Sequence, residues 1–134
     1  MDADGLKERT KQFTLCILKL VAALPNNIQA RAVGGQLVRC GTSVASNYRA
    51  ACRGRSKAEF IAKLGILEED ADESAFWLEL IIEGSLLKAK LVQPLLTEAN
   101  ELTRIMASSR MTAKTNSQHS LKIGNRQSEI GNQP

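Results

Sequence analysis

Apolar and small residues recur along this chain in alternating steps of four and three, over four successive segments. In the first, Leu6, Phe13, Ile17, Leu20 and Leu24 fall on one stripe, with Thr10 at the intervening position. In the second, Val33, Leu37, Cys40, Val44, Asn47 and Ala51 keep the rhythm. The third is the longest, with Phe60, Leu64, Leu67, Ala71, Ser74, Leu78, Ile81 and Ser85, and the fourth carries Leu95, Ala99, Leu102 and Met106. Such steps put side chains on one face of a helix, and no segment alternates with the period of two expected of a half-buried strand.

The punctuation agrees with the pattern. Pro25 disfavours helix at the residue before it, and Asn26-Asn27 suits a cap for the second segment. Gly54 ends that segment, and Ser56 with Glu59 has the spacing of a capping box that opens the third. Pro94 suits the first turn of the fourth. Four helices with short connections predict an all-α, antiparallel up-down-up-down four-helix bundle, packed at about 20°.

Two departures from a generic bundle carry information. The second segment is rich in small residues, Gly34, Gly35 and Gly41 among them. Each helical Gly costs about 1 kcal/mol relative to Ala, so close approach by a neighbouring helix is the expected return. The third segment has a second apolar stripe of Trp77, Leu80, Gly84 and Leu87, with Phe76 beside it. One core needs one stripe. Self-association is the expected cover for the second, and Phe76, Trp77, Leu80, Gly84 and Leu87 are the candidate oligomer interface.

Composition changes the picture at the C-terminus. From residue 111 onward the chain is mostly Ser, Thr, Asn, Gln, Gly and Lys, with few large aliphatics. Such a stretch buries too little apolar surface to offset its ordering entropy. The expected division is a bundle over residues 1–112 and a disordered basic tail over 113–134. No apolar run is long enough for a membrane span, and the acidic start lacks the basic region of a secretory signal. The three cysteines, Cys16, Cys40 and Cys52, read as free thiols of a cytoplasmic protein.

Charge is segregated. Between residues 31 and 57 lie six bases (Arg31, Arg39, Arg49, Arg53, Arg55, Lys57) and no acid, and between 68 and 83 lie seven acids and no base. On a helix Arg39, Thr42, Ser46, Arg49 and Arg53 form one polar stripe, extended by Arg55 and Lys57 at the turn. Arginine forks suit phosphate oxygens, and Tyr48 beside the stripe could stack on a base. Arg39, Arg49, Arg53, Arg55 and Lys57 are therefore the candidate nucleic-acid contacts. The competing use is pairing of these arginines with the acids of the third helix, within a subunit or across an interface.

Catalytic readings have little support. The one histidine, His119, falls in the expected tail, and no Glu-x-x-His of a di-iron bundle is present. Neither a catalytic residue, a metal nor a cofactor is expected.

The stretch Gln36-Leu37-Val38-Arg39-Cys40-Gly41-Thr42-Ser43-Val44-Ala45-Ser46-Asn47-Tyr48-Arg49-Ala50-Ala51, followed by Arg55-Ser56-Lys57-Ala58-Glu59-Phe60-Ile61-Ala62-Lys63-Leu64, resembles a bacterial four-helix-bundle family. That family includes proteins encoded in 23S rRNA intervening sequences and the accessory variability determinant proteins of diversity-generating retroelements. Glu73-Ser74-Ala75-Phe76-Trp77-Leu78-Glu79-Leu80 is similar to its third helix. The resemblance implies a homopentamer with a basic surface and, in the retroelement branch, binding of nucleic acid and a reverse transcriptase. The functional expectation is a non-catalytic, oligomeric bundle that binds structured RNA or an RNA–protein assembly. The alternative is an adaptor oligomer without nucleic-acid binding, its arginines paired with the acidic helix.

Overall fold

The computed structural model describes the chain from residue 2 to residue 131, with side chains to residue 116 and at 118. Four helices follow one another: α1 (Ala3–Ala22), α2 (Ile28–Cys52), α3 (Lys57–Glu83) and α4 (Ala89–Gly131). Each packs on its sequence neighbour, and α1 closes the ring against α4, with no diagonal contacts among the described residues. This is the antiparallel up-down-up-down bundle, and no strand occurs among the described residues. Ala113, the first residue of the expected tail, is the last buried residue described. The tail's backbone continues in α4 to Gly131, while most of its side chains, His119 among them, lie outside the described set.

The first three helices start on side-chain caps. Asp2 Oδ1 accepts from Gly5 N at 2.8 Å, Asn27 Oδ1 from Ala30 N at 2.8 Å, and Ser56 Oγ from Glu59 N at 3.1 Å. Each satisfies an otherwise unpaired donor and stabilises its helix by about 1 kcal/mol. Glu59 reaches back one residue further than a capping box requires, to Arg55 N.

The core is the expected stripe of each helix with local shifts. On α1 it is Leu6, Thr10, Phe13, Ile17 and Leu20. Thr10 is buried because its hydroxyl donates to the Leu6 carbonyl at 2.8 Å, so no polar group is left unpaired. Ser74 on α3 likewise donates to the Asp70 carbonyl. On α2 the buried line runs through Ala30, Gly34, Leu37, Cys40, Gly41, Val44, Tyr48 and Ala51. Val33 and Asn47, expected on it, are only half-buried; their neighbours Gly34 and Tyr48 take the inner positions.

Two expected boundaries move. Ser85 is not on the α3 stripe: it lies past the helix end with φ 54°, exposed. Ser85 N bonds to Ile82 O at 3.0 Å and Leu86 N to Ile81 O at 2.9 Å, the paired bonds of a Schellman cap. Pro94 lies inside α4 rather than in its first turn, because the helix begins at Ala89.

The glycines of α2 divide by environment. A Cβ on Gly41 would stand 2.9 Å from Ile17 Cγ2, and one on Gly34 would stand 3.0 Å from Leu24 Cδ1. Here α1 and α2 approach closely, and Thr14 Oγ1 donates to the Gly41 carbonyl at 2.9 Å across the gap. Gly35 faces open space.

Candidate nucleic-acid interface

The arginines of α2 point from the ridge between α1 and α3, and they separate there. Arg39 turns toward α3 and pairs with Glu73, while Gln36 Oε1 accepts from its Nε at 3.2 Å. Ser43 and Asn47 bind Asp70 at 2.6 and 3.2 Å. On the far side of α3, Glu68 accepts from Arg110 of α4 at 2.9 Å. Three of the seven acids thus serve contacts between helices. Glu69, Asp72, Glu79 and Glu83 make no ion pair among the described residues.

Arg49 and Arg53 turn the other way. They line a groove of about 530 Å³ between α1 and α2, facing Lys7 and Lys11, with Ser46 and Ala45 on its floor. Asp4 and Glu8 also border it, and Lys7 Nζ lies 3.9 Å from Asp4 Oδ1. Four cations against two carboxylates leave the groove net positive. Neither Arg49 nor Arg53 has an ion-pair partner among the described residues. Arg55 and Lys57 are exposed at the α2–α3 turn at the same end of the bundle. Lys57 is shared by two shallow clefts, one bordered by Tyr48 and Cys52, the other by Ser108, Ser109, Thr112 and Asn116 of α4.

The expected contacts are therefore not one stripe in use. Arg49, Arg53, Arg55 and Lys57 share the α2–α3 end, and Arg39 belongs to the α2/α3 contact. Tyr48 cannot stack on a base, because its ring is 4 % exposed and sits in the core. Burial, with Cys52 beside it, holds its phenol above the usual range. Sequence reasoning missed Lys7 and Lys11. Their spacing of four placed them on one face of α1, but only the packing shows that this face meets Arg49 and Arg53.

The five candidate interface residues also divide. Phe76 is 49 % exposed and stacks edge-to-face on Trp77, whose Nε1 donates to Glu73 at 3.0 Å. Trp77 and Leu80 are half-buried on α3. Gly84 caps the helix, where a Cβ would meet the Leu80 carbonyl at 2.8 Å. Leu87 packs on the core and lines a groove between α1 and α4.

Among the described residues no group of His, Cys, Asp or Glu is placed to hold a metal ion, and no helix is long and apolar enough to cross a membrane. An all-α bundle with a basic end and an acidic flank is thus the class that the fold and surface define. The family profile described as 23S rRNA-intervening sequence protein matches residues 6–108, and the chain belongs to that family. A solved structure of a protein of unknown function from the S23 ribosomal protein family of Bacteroides thetaiotaomicron is similar, with a TM-score of 0.76 and 28% identity. The match covers 83% of this chain and 99% of that one. No curated protein matches.

Proposed function

We propose that this protein is a non-catalytic, cytoplasmic, oligomeric bundle that binds structured RNA through the α2–α3 end. The observation that supports it most is the α1/α2 groove, where Lys7, Lys11, Arg49 and Arg53 converge and both arginines lack ion-pair partners among the described residues. Free guanidinium forks beside a hydroxyl are suited to phosphate oxygens. Membership of a family named for rRNA intervening sequences points to RNA as the polyanion.

Assembly is the second element of the proposal: the exposed Phe76 and half-exposed Leu80 on α3 need cover, and a homopentamer is the state the family resemblance implies. A reverse transcriptase is the protein partner that the retroelement branch would add.

The adaptor alternative is favoured by one specific contact, Arg39 with Glu73. A salt titration of binding to a structured RNA separates the two. The RNA reading expects the logarithm of the binding constant to fall linearly with that of salt, with a slope of roughly 0.7–0.9 per phosphate neutralised. R49E/R53E should abolish binding and leave assembly intact, whereas R39E should retain most of it. No affinity for RNA at low salt would leave the adaptor reading in its place.

A further inference from the structure

The α1/α4 side of the bundle is its thinnest seam, since α1 packs on α4 far less than on α2. Beside that seam lies an apolar groove of about 460 Å³, walled by Phe13, Leu20, Leu87, Leu91, Pro94 and Leu95. Its volume falls in the range of built binding sites, about 300–1,000 Å³. Leu91 at its lip is 57 % exposed.

The charge at its edge is one-sided. Glu98, the acid at the rim, is held by Arg9 through two hydrogen bonds of 2.8 and 2.6 Å. Lys19 at the opposite rim and Lys88 and Lys90 at the start of α4 have no carboxylate partner among the described residues. The groove therefore offers an apolar floor with one unneutralised cation, Lys19, on its lining, and Lys88 and Lys90 follow nearby in sequence from its Leu87 and Leu91.

A surface of the opposite character stands elsewhere on the same molecule. Phe76 is the one aromatic among the strongly exposed large hydrophobics described. Leu80 lies one turn on, and around them Glu69, Asp72, Glu79 and Glu83 are exposed and unpaired. Knob and groove are complementary in polarity and opposite in charge. They also lie in the same half of the bundle, the half containing the α1–α2 and α3–α4 turns. No residue of α3 lines this groove, and Phe76 stands exposed, so the knob does not fill the groove of its own chain.

We infer that the α3 knob of Phe76 and Leu80, ringed by Glu79 and Glu83, docks into the α1/α4 groove of a second copy, between its Lys19 and Leu91. The contact uses different surfaces on the two copies, so it is head-to-tail, and it closes into a ring or continues as a filament. Knob and groove at the same height along the bundle favour the ring. The inference rests on the assembly reading above and assigns both halves of its interface.

The test uses two full-length variants altered only at exposed positions, F76E on the knob and L91E in the groove, checked for helicity and followed by sedimentation velocity. Each variant alone should weaken self-association by about 30-fold or more, the loss expected for one anchor residue. Mixed in equal amounts, they should form a one-to-one heterodimer and nothing larger, since one intact knob and one intact groove remain. K19E and E79K should each weaken assembly, and a mixture of the two should restore it, since both contacts between unlike copies again pair a lysine with a glutamate. A monomeric wild type would sink the assembly reading itself. A wild-type oligomer that survives L91E would overturn only the groove assignment. Two monomeric variants that stay monomeric when mixed would overturn the head-to-tail pairing.

Discussion

At the scale of single residues, neighbours only ångströms away decide what identical side chains do. Gly41 and Gly35 belong to the same helix, yet a Cβ would collide with Ile17 at the first and meet nothing at the second. G41V should destabilise the fold by about 1–3 kcal/mol as an overpacked contact, whereas G35A should stabilise it by roughly 0.5–1 kcal/mol. Denaturant midpoints measured side by side check both signs. The cysteines diverge in the same manner. Cys16 is exposed, while Cys40 is buried, and burial pushes its thiol above the ordinary range despite the Ser74 hydroxyl 3.3 Å away. In the assembly-deficient L91E variant, a maleimide should label Cys16 of the folded chain quickly and leave Cys40 unmodified until the chain unfolds, even as the pH rises toward the point where a free thiol ionises. Labelling of Cys40 at the rate of Cys16 would contradict the packing. The sequence could not sort these residues, because periodicity places Val33 and Gly34, or Asn47 and Tyr48, almost equally well on the inner face of α2.

At the scale of the element, the caps and the contacts between helices carry different weights. Ser85 closes the α3 cap in the left-handed region, where an L-residue is strained by roughly 1–2 kcal/mol and glycine is not. S85G should raise stability by about 0.5–1 kcal/mol, read as an upward shift of the thermal midpoint. Arg9 joins α1 to α4 through Glu98 and Glu101, each at 2.6 Å, with the guanidinium 23% exposed. The hydrogen bonds to Glu98 hold its pKa above the usual value, so it stays charged throughout the working range. R9A should cost about 1–3 kcal/mol. R39A should cost less than about 1 kcal/mol, because that pair is well exposed to solvent. Helix boundaries marked by side-chain caps, Asn27 and Ser56, were readable from the chain. The start of α4 was not, since Pro94 imitates a first-turn residue while sitting in the second turn.

For the whole molecule, the four-fold repeat of threes and fours was sufficient to give the bundle, because each stripe has one way to be buried. The surface was less legible. One basic run was expected to act together, but Arg39 serves the α2/α3 contact, and Arg49 and Arg53 join Lys7 and Lys11 from a distant stretch of sequence. Neighbouring helices are adjacent through packing, which a one-dimensional charge pattern does not record. The bundle nevertheless separates its two surfaces lengthwise. Arg49, Arg53, Arg55 and Lys57 cluster at the α2–α3 end, while Phe76, Leu80, Leu91 and Lys19 lie toward the other. In a closed ring with bundle axes side by side, that separation would put every cationic patch on one rim. A polyanion long enough to touch two patches would then bind with an effective local concentration of the second in the millimolar range, and affinity would multiply with no new contact. L91E, at the opposite end of the bundle from Arg49, Arg53, Arg55 and Lys57, should consequently weaken binding of a long RNA far more than binding of a short oligonucleotide spanning one patch.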